Sequence, residues 1–309
     1  MTPGTWGPPA GRASLSPMVG QEPLLRDALE ERQLTSTGSV IVTQVDSKSI
    51  LTPTSGFMSG YKFSLNPYRG CAFGCDYCYA RFFAPTAAER EAWGRWVAVK
   101  RNAVELIAAA CESGLLRTGD TVYMSSVTDP YQPIERRLGL TRAILKVILD
   151  HGVQPRLTIQ TRSPIATRDV DLFQGFAKLR VNLSISTDSE DVRRRYEPRC
   201  PPIAARLETA AALAAAGVRI GVSISPMLPI RDIEAFGARL AGLEADEYVT
   251  QYFKPGRSRF AAGTTSATRA KAREDGWGAA EYRRAREELR RILGERRPLL
   301  EGAEGYAPA

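Results

Sequence analysis

The feature that most constrains the fold is a repeat of short apolar runs and helical patterns between residues 61 and 252. The apolar runs cover residues 61–65, 121–124, 156–161, 181–185, 218–225 and 248–252. Helical periodicity fills the gaps, over residues 89–111, 141–151, 168–179, 203–216 and 233–243. In the second of these, Ile144, Leu145, Ile148 and Leu149 fall on one face. Gly152 and Gly217 stand where helices should end just before a strand. Five βα units and a sixth strand build a parallel sheet covered by helices, an α/β fold. In such folds the working residues gather in the loops that follow the strands. Those loops, at residues 66–78, 125–133, 162–167, 186–201 and 226–232, are also the most polar segments.

The flanks read differently. Residues 1–20 are rich in Gly, Pro and Ser and are expected to be disordered. Residues 21–60 form an N-terminal extension, with a short charged helix at 21–32 and strands at 39–45 and 49–51. Residues 61–255 are the core, and 256–309 a C-terminal tail. Within the tail, residues 257–275 are polar without a period. Residues 279–293 form a helix with Tyr282, Ala285, Leu289 and Ile292 on one face and Arg283, Arg284, Arg286, Arg290 and Arg291 elsewhere. That basic face is either solvated or meets a nucleic acid or partner.

Composition removes several chemistries. The chain has one histidine, His151, so a Ser-His-Asp hydrolase could be built only there, and a site needing two imidazoles cannot form within one chain. No run approaches the roughly 18 apolar residues of a membrane span. The first twenty residues lack the pattern of a secretory signal, so a cytoplasmic location is expected. The net charge of +8 suits phosphate-bearing partners only weakly, because arginine supplies nearly all of the basic residues, as a GC-rich coding bias also would.

Three of the five cysteines, Cys71, Cys75 and Cys78, fall within eight residues in the spacing C-x3-C-x2-C. Three thiolates on one tight loop can each hold one iron of a cubane cluster and leave the fourth iron to an outside ligand. Gly70 and Gly74 let the backbone wrap closely around it. The alternative is a zinc knuckle completed by Cys111 or Cys200, although the paired C-x2-C units of such sites are missing. Cys111 ends an apolar helical pattern and reads as a core residue.

A C-x3-C-x2-C loop after a first strand, with Tyr77 just before its third cysteine, resembles the radical S-adenosylmethionine superfamily. The segments NPYRGCAFGCDYCYAR, SSVTDPYQPIERRLGLTR, QTRSPIATRD, SISTDSEDVRRRYEPRCPP and VSISPMLPIRD, in that order, are similar to its spore photoproduct lyase and "DNA repair photolyase" branch. The resemblance implies a partial (β/α)6 TIM-like barrel and a [4Fe-4S] cluster on Cys71, Cys75 and Cys78. It also implies S-adenosylmethionine as cofactor, cleaved to a 5′-deoxyadenosyl radical, and an electron donor such as a flavodoxin or ferredoxin.

The same resemblance suggests cofactor contacts. Tyr77 is expected near the adenine, Ser126, Thr128 and Asp129 near the methionyl amine, and Ser186 near the ribose. Arg162 stands where the branch has lysine and could hold the methionyl carboxylate. Glu197 and Arg199 are either a binding pair or a buried salt bridge. One departure is plain: the lyase keeps a hydrogen-donor cysteine after its second strand, and residues 124–133 contain none. Cys200, Tyr123, Tyr131 and Tyr196 are the other candidates for a radical relay. Damaged DNA or another nucleic acid is the first substrate expectation. A protein, peptide or small metabolite is the second, and a non-enzymatic iron–sulfur redox or sensor role the third.

Overall fold

Among the described residues, eight strands form one sheet, seven of them successive parallel neighbours. The computed structural model describes residues 40–253 and 264–309. The central strands are β3 (Phe63–Leu65), β6 (Thr121–Met124), β7 (Arg156–Thr161), β8 (Leu179–Ser184), β9 (Arg219–Ile224) and β10 (Glu247–Thr250), each parallel to its neighbours among these six. β11 (Leu299–Glu301) adds a seventh parallel strand, and β2 (Leu51–Pro53) pairs antiparallel at the other edge. The six central strands are the six expected from the apolar runs, so the chain has the α/β, TIM-like architecture.

Burial explains the apolar runs. One face of these strands is apolar and buried, with Leu157, Ile159, Val181, Leu183, Ile220, Val222 and Ile224, while the alternate positions, such as Thr158, Asn182 and Ser223, are polar and buried too. The helix Leu140–Asp150 packs Leu140, Ile144, Leu145 and Ile148 into the same core. Each such side chain contributes about 1.5–3 kcal/mol by leaving water. This helix ends at Gly152, whose φ of 67° lets Val153 N–H reach back to the Ile148 carbonyl. Gly217 ends the helix Ile203–Ala215 in the same way.

Four expectations need correction. The helical reading of residues 89–111 is broken: a helix at Ala87–Glu91 and another at Ala103–Glu112 flank a strand, β5 (Trp96–Lys100). That strand joins β1 (Ile41–Val45) and β4 (Tyr68–Gly70) in a separate three-stranded sheet, pairing parallel with β1 and antiparallel with β4. Tertiary pairing overrides the helical period there because Trp96, Val97 and Val99 are good strand formers. Residues 168–179 hold only a 3-10 turn to Asp169 and the short helix Val170–Phe173, and β8 has already begun at Leu179. The polar loop 186–201 contains the helix Glu190–Tyr196, capped by the Ser189 side chain. The aperiodic stretch 257–275 contains the helix Ser266–Glu274, capped by Thr265. The expectations for residues 1–20 and 21–32 lie outside the described residues.

The C-terminal tail completes the sheet and closes the end of the barrel where the strands begin. Arg156 donates to the carbonyls of Ala309 and Pro308, Arg180 to that of Ala307, and Tyr61 Oη to Ala307 as well. The opposite end, where the strands finish, stays open. Among the described residues, no helix is long and apolar enough to cross a membrane.

Candidate functional site

A cavity of about 1020 Å³ occupies the open end. Cys71, Cys75 and Cys78 line it together with Tyr77, Ser126, Thr128, Asp129 and Arg162. Ser186, Glu197 and Arg199 do not line it.

The cysteine loop is held by its own short hydrogen bonds and by a glycine contact. Gly74 N–H donates to the Cys71 carbonyl and Cys78 N–H to that of Cys75, each at 3.2 Å. Gly74 has a φ of 57°, and a Cβ there would stand 2.8 Å from the Gly94 Cα. The loop therefore seats on the backbone just before β5, backbone against backbone, which only glycine permits. Ala72 N–H is taken by Gln132 Oε1 at 2.9 Å.

The three thiols are not equivalent. Burial pushes Cys71 well up, with the Asp129 charge adding to it, and raises Cys78 to about 11. Cys75 is held below its ordinary value, first by a contact with the Cys200 thiol at 3.5 Å and then by the Arg162 charge. Cys200 is buried behind Cys75 and does not line the cavity. Among the described residues no three metal-binding side chains converge on a single point. The donor set fits a cluster in its chemistry: three thiols facing one cavity, with polar side chains beside them for an outside ligand.

Behind the loop sits a buried charge network. Glu197 is fully buried, with one carboxylate oxygen 2.9 Å from Arg162 Nη1 and the other 2.5 Å from Arg206 Nη2. Tyr77 Oη donates to the same carboxylate and lies 3.4 Å from Ser186 Oγ. Burial alone would raise the Glu197 carboxyl, but the Arg206 and Arg162 guanidiniums hold it at about 2. Glu197 is therefore a fixed negative charge that sets the positions of Arg162 and Tyr77. Its arginine partners are Arg162 and Arg206, while Arg199 donates to the Gly94 carbonyl beside the glycine contact.

Asp129 is held in place by its own chain. It accepts from Tyr131 N–H at 2.9 Å, Thr161 Oγ1 at 2.7 Å and Arg162 N–H at 3.0 Å. It thereby ties the loop after β6 to the end of β7. Burial raises its carboxyl, and the Thr161 hydroxyl and Arg162 charge oppose that. Thr128 Oγ1 donates to the Gly70 carbonyl at 2.6 Å, and Ser126 Oγ lies 3.4 Å from Asn66 Nδ2.

Of the other relay candidates, Tyr123 lines the cavity. Tyr131 is bonded to Asp169 and Tyr196 to Asp275, both away from it. The lone His151 caps a helix end, its Nδ1 2.8 Å from the Val147 carbonyl.

Several lining residues escaped the sequence reading. Gln160, Ser184, Ser223, Ser225, Gln251 and Tyr306 form a neutral polar floor. Tyr123 Oη donates to Gln160 Oε1 at 2.9 Å, and Gln160 Nε2 to Ser184 Oγ at 2.8 Å. The available signal was a polar residue at or next to the last position of a strand whose alternate residues are apolar, as with Gln160, Ser184 and Ser223.

Residues 65–238 match the family model of the Radical SAM superfamily, so the chain belongs to that superfamily. Membership implies S-adenosylmethionine cleaved by a radical route, with a [4Fe-4S] cluster. A Methanocaldococcus jannaschii protein, MJ0683, is 35% identical over 194 residues, which cover 62% of this chain and 70% of that one. The Mycobacterium tuberculosis protein Rv2578c is 31% identical over 180 residues, 55% of this chain and half of its own length. Among solved structures, a spore photoproduct lyase variant with dinucleoside spore photoproduct superposes with a TM-score of 0.61 at 17% identity, covering 84% of this chain and 81% of that one. At that identity the likeness concerns the fold.

Proposed function

We propose that the cavity is the reaction chamber of a radical S-adenosylmethionine enzyme that acts on a nucleic acid, with lesion-bearing DNA the first candidate. The observation that carries this reading is the meeting of the three-cysteine loop and the polar ends of β6 and β7 in one cavity. When bound, the cluster and S-adenosylmethionine supply a 5′-deoxyadenosyl radical that takes hydrogen from the substrate, the electron coming from a flavodoxin or ferredoxin.

The chain's own residues would do the rest. Arg162, fixed by Glu197, suits the methionyl carboxylate, and Asp129 offers the negative charge that suits an ammonium. Tyr77, Ser126 and Thr128 remain the adenine and amine contacts of this reading, while Ser186, fully buried behind Tyr77 and off the cavity wall, is not the ribose contact.

The lyase likeness supports DNA as substrate, since structures with that fold hold dinucleoside spore photoproduct. The hydrogen return must differ from that branch. Among the described residues, the only thiols lining the cavity are the three of the loop.

The test is anaerobic reconstitution, reduction with S-adenosylmethionine, and assay of 5′-deoxyadenosine with and without ultraviolet-irradiated DNA. Product that rises with irradiated DNA is expected. Absence of 5′-deoxyadenosine from cluster-loaded protein sinks the enzymatic reading. Indifference to any DNA sinks the nucleic-acid reading.

A further inference from the structure

We propose that Lys100 and Arg69 form a phosphate-binding subsite on the wall of the cysteine-loop cavity, taking the phosphate of a nucleotide unit. The inference rests on the reading of this cavity as the substrate site.

The two residues are brought together by the small sheet, not by the barrel. β4 pairs antiparallel with β5, with Arg69 opposite Ala98. Lys100 lies two residues beyond Ala98 and is therefore the diagonal neighbour of Arg69 on the same face. Both line the cavity.

Their charges are uncompensated. Among the described residues, neither side chain has a carboxylate partner: Arg69 is exposed at the cavity wall, and Lys100 is buried without the carboxylate that the buried Arg180, Arg193 and Arg206 each have. Lys100 is only 8% exposed. Burial, with the Arg69 charge beside it, pushes its ammonium down to about 8, so it is still charged at neutral pH. The charge that bears on it is another cation. An ammonium in that position without a carboxylate is costly, and an anion arriving in the cavity would relieve it while keeping it charged. Among the described residues, Asp129 is the one acidic residue lining the cavity, and its hydrogen bonds go to its own chain.

The rest of the cavity says what the anion is attached to. Gln160, Ser184, Ser223 and Gln251 offer neutral donors and acceptors, and Tyr123 and Tyr306 offer aromatic surface. A planar, uncharged, hydrogen-bonding ring suits those walls. A guanidinium and an ammonium set diagonally suit a tetrahedral oxyanion with several acceptor oxygens. A ring and a phosphate in one ligand make a nucleotide unit.

The test is binding by the full-length, cluster-loaded protein. Four probes are compared: thymidine, thymidine 5′-monophosphate, a short fluorescent oligothymidylate, and the same oligomer with a neutral methylphosphonate backbone. The charged member of at least one pair is expected to bind at least about ten-fold tighter. Which pair shows it identifies a monoester or a strand diester as the source. Lys100→Met and Arg69→Gln should each erase most of that difference and lower the salt slope for the oligomer by about 0.7. Lys100→Met should also melt no lower than the parent, because it removes an unpaired buried charge. The proposal is overturned if neither pair discriminates, or if Lys100→Met leaves the discrimination intact. It is also overturned if Lys100→Met loses iron while still discriminating, since the charge would then serve the cysteine loop. A failure of 5′-deoxyadenosine formation would remove the catalytic reading and leave this binding result standing.

Discussion

The two ends of the barrel each bury a carboxylate against arginine, and they treat it in opposite ways. At the open end Glu197 meets two guanidiniums, those of Arg162 and Arg206, and is held at about 2. At the closed end Glu247, the first residue of β10, meets Arg180 alone at 2.7 Å. Burial wins there, helped by the neighbouring Asp246 charge, and the Glu247 carboxyl rises to about 7. The number of guanidiniums in direct contact separates the two: at Glu197 two, with the Tyr77 hydroxyl beside them, offset desolvation, while at Glu247 one in contact and the charge of Arg219 do not. The open end is thus built around a permanent charge that orients site residues. The closed end is a lid of tail carbonyls around a carboxyl free to lose its charge.

The largest expected effect breaks the open end outright. Alanine at Cys71, Cys75 or Cys78 should abolish bound iron and sulfide after reconstitution, whereas Cys200→Ala should retain them. Cys200 touches Cys75 but does not face the cavity. Iron and acid-labile sulfide determination settles the matter. Full loading of any of the three loop variants would refute the cluster assignment.

Next comes the charge that sets the site. Glu197→Ala leaves Arg162 and Arg206 buried without their carboxylate and should cost about 3–5 kcal/mol in denaturant unfolding. Glu197→Gln, which keeps the shape and an acceptor, should cost less but weaken S-adenosylmethionine binding by releasing Arg162. Unchanged affinity in the Gln variant would show that Glu197 supports the fold alone. Gly74→Ala follows. Its Cβ would meet the Gly94 Cα at 2.8 Å in a left-handed backbone, so about 1–3 kcal/mol of destabilisation and a loss of iron are expected together. Loss of stability with full iron content would separate the glycine contact from the cluster.

The contrast between the ends also explains what could be read from sequence. The six central strands were legible because short segments with apolar residues at alternate positions, such as 156–161 and 219–224, recur between helical patterns. β5 was not, because Trp93, Trp96 and Val97 fit a helical period equally well and only pairing with β1 and β4 decides. β11 is three residues long and exists by pairing with β10. At the site, the cysteine loop and the loops after β6 and β7 were legible as dense motifs. Arg206 was not: it lies on a helix where an arginine reads as solvent-facing, yet it is fully buried against Glu197. Lys100 was missed for the same reason as its strand.

The smallest expected effect concerns the closed end and has a definite sign. Glu247 has a folded value of about 7, above the ordinary glutamate value of 4.5. Between those two values the folded chain holds a proton that the unfolded chain has released. The unfolded state then binds fewer protons, so this group's contribution to stability falls as pH rises from 4.5 through 7. Glu247→Gln removes the titration while keeping an acceptor for Arg180. The variant should therefore lose less stability than the parent between pH 5 and pH 8, gaining about 1–2 kcal/mol relative to it across that window after allowance for relaxation and the lost ion pair. Glu197 gives the opposite check. Its depressed value makes its contribution fully present above 4.5 and lost only as pH falls towards 2, so Glu197→Gln should leave the slope between pH 5 and pH 8 untouched. Parallel urea titrations at several pH values distinguish the two. If both variants shift the slope alike, the count of guanidiniums is not what separates the ends.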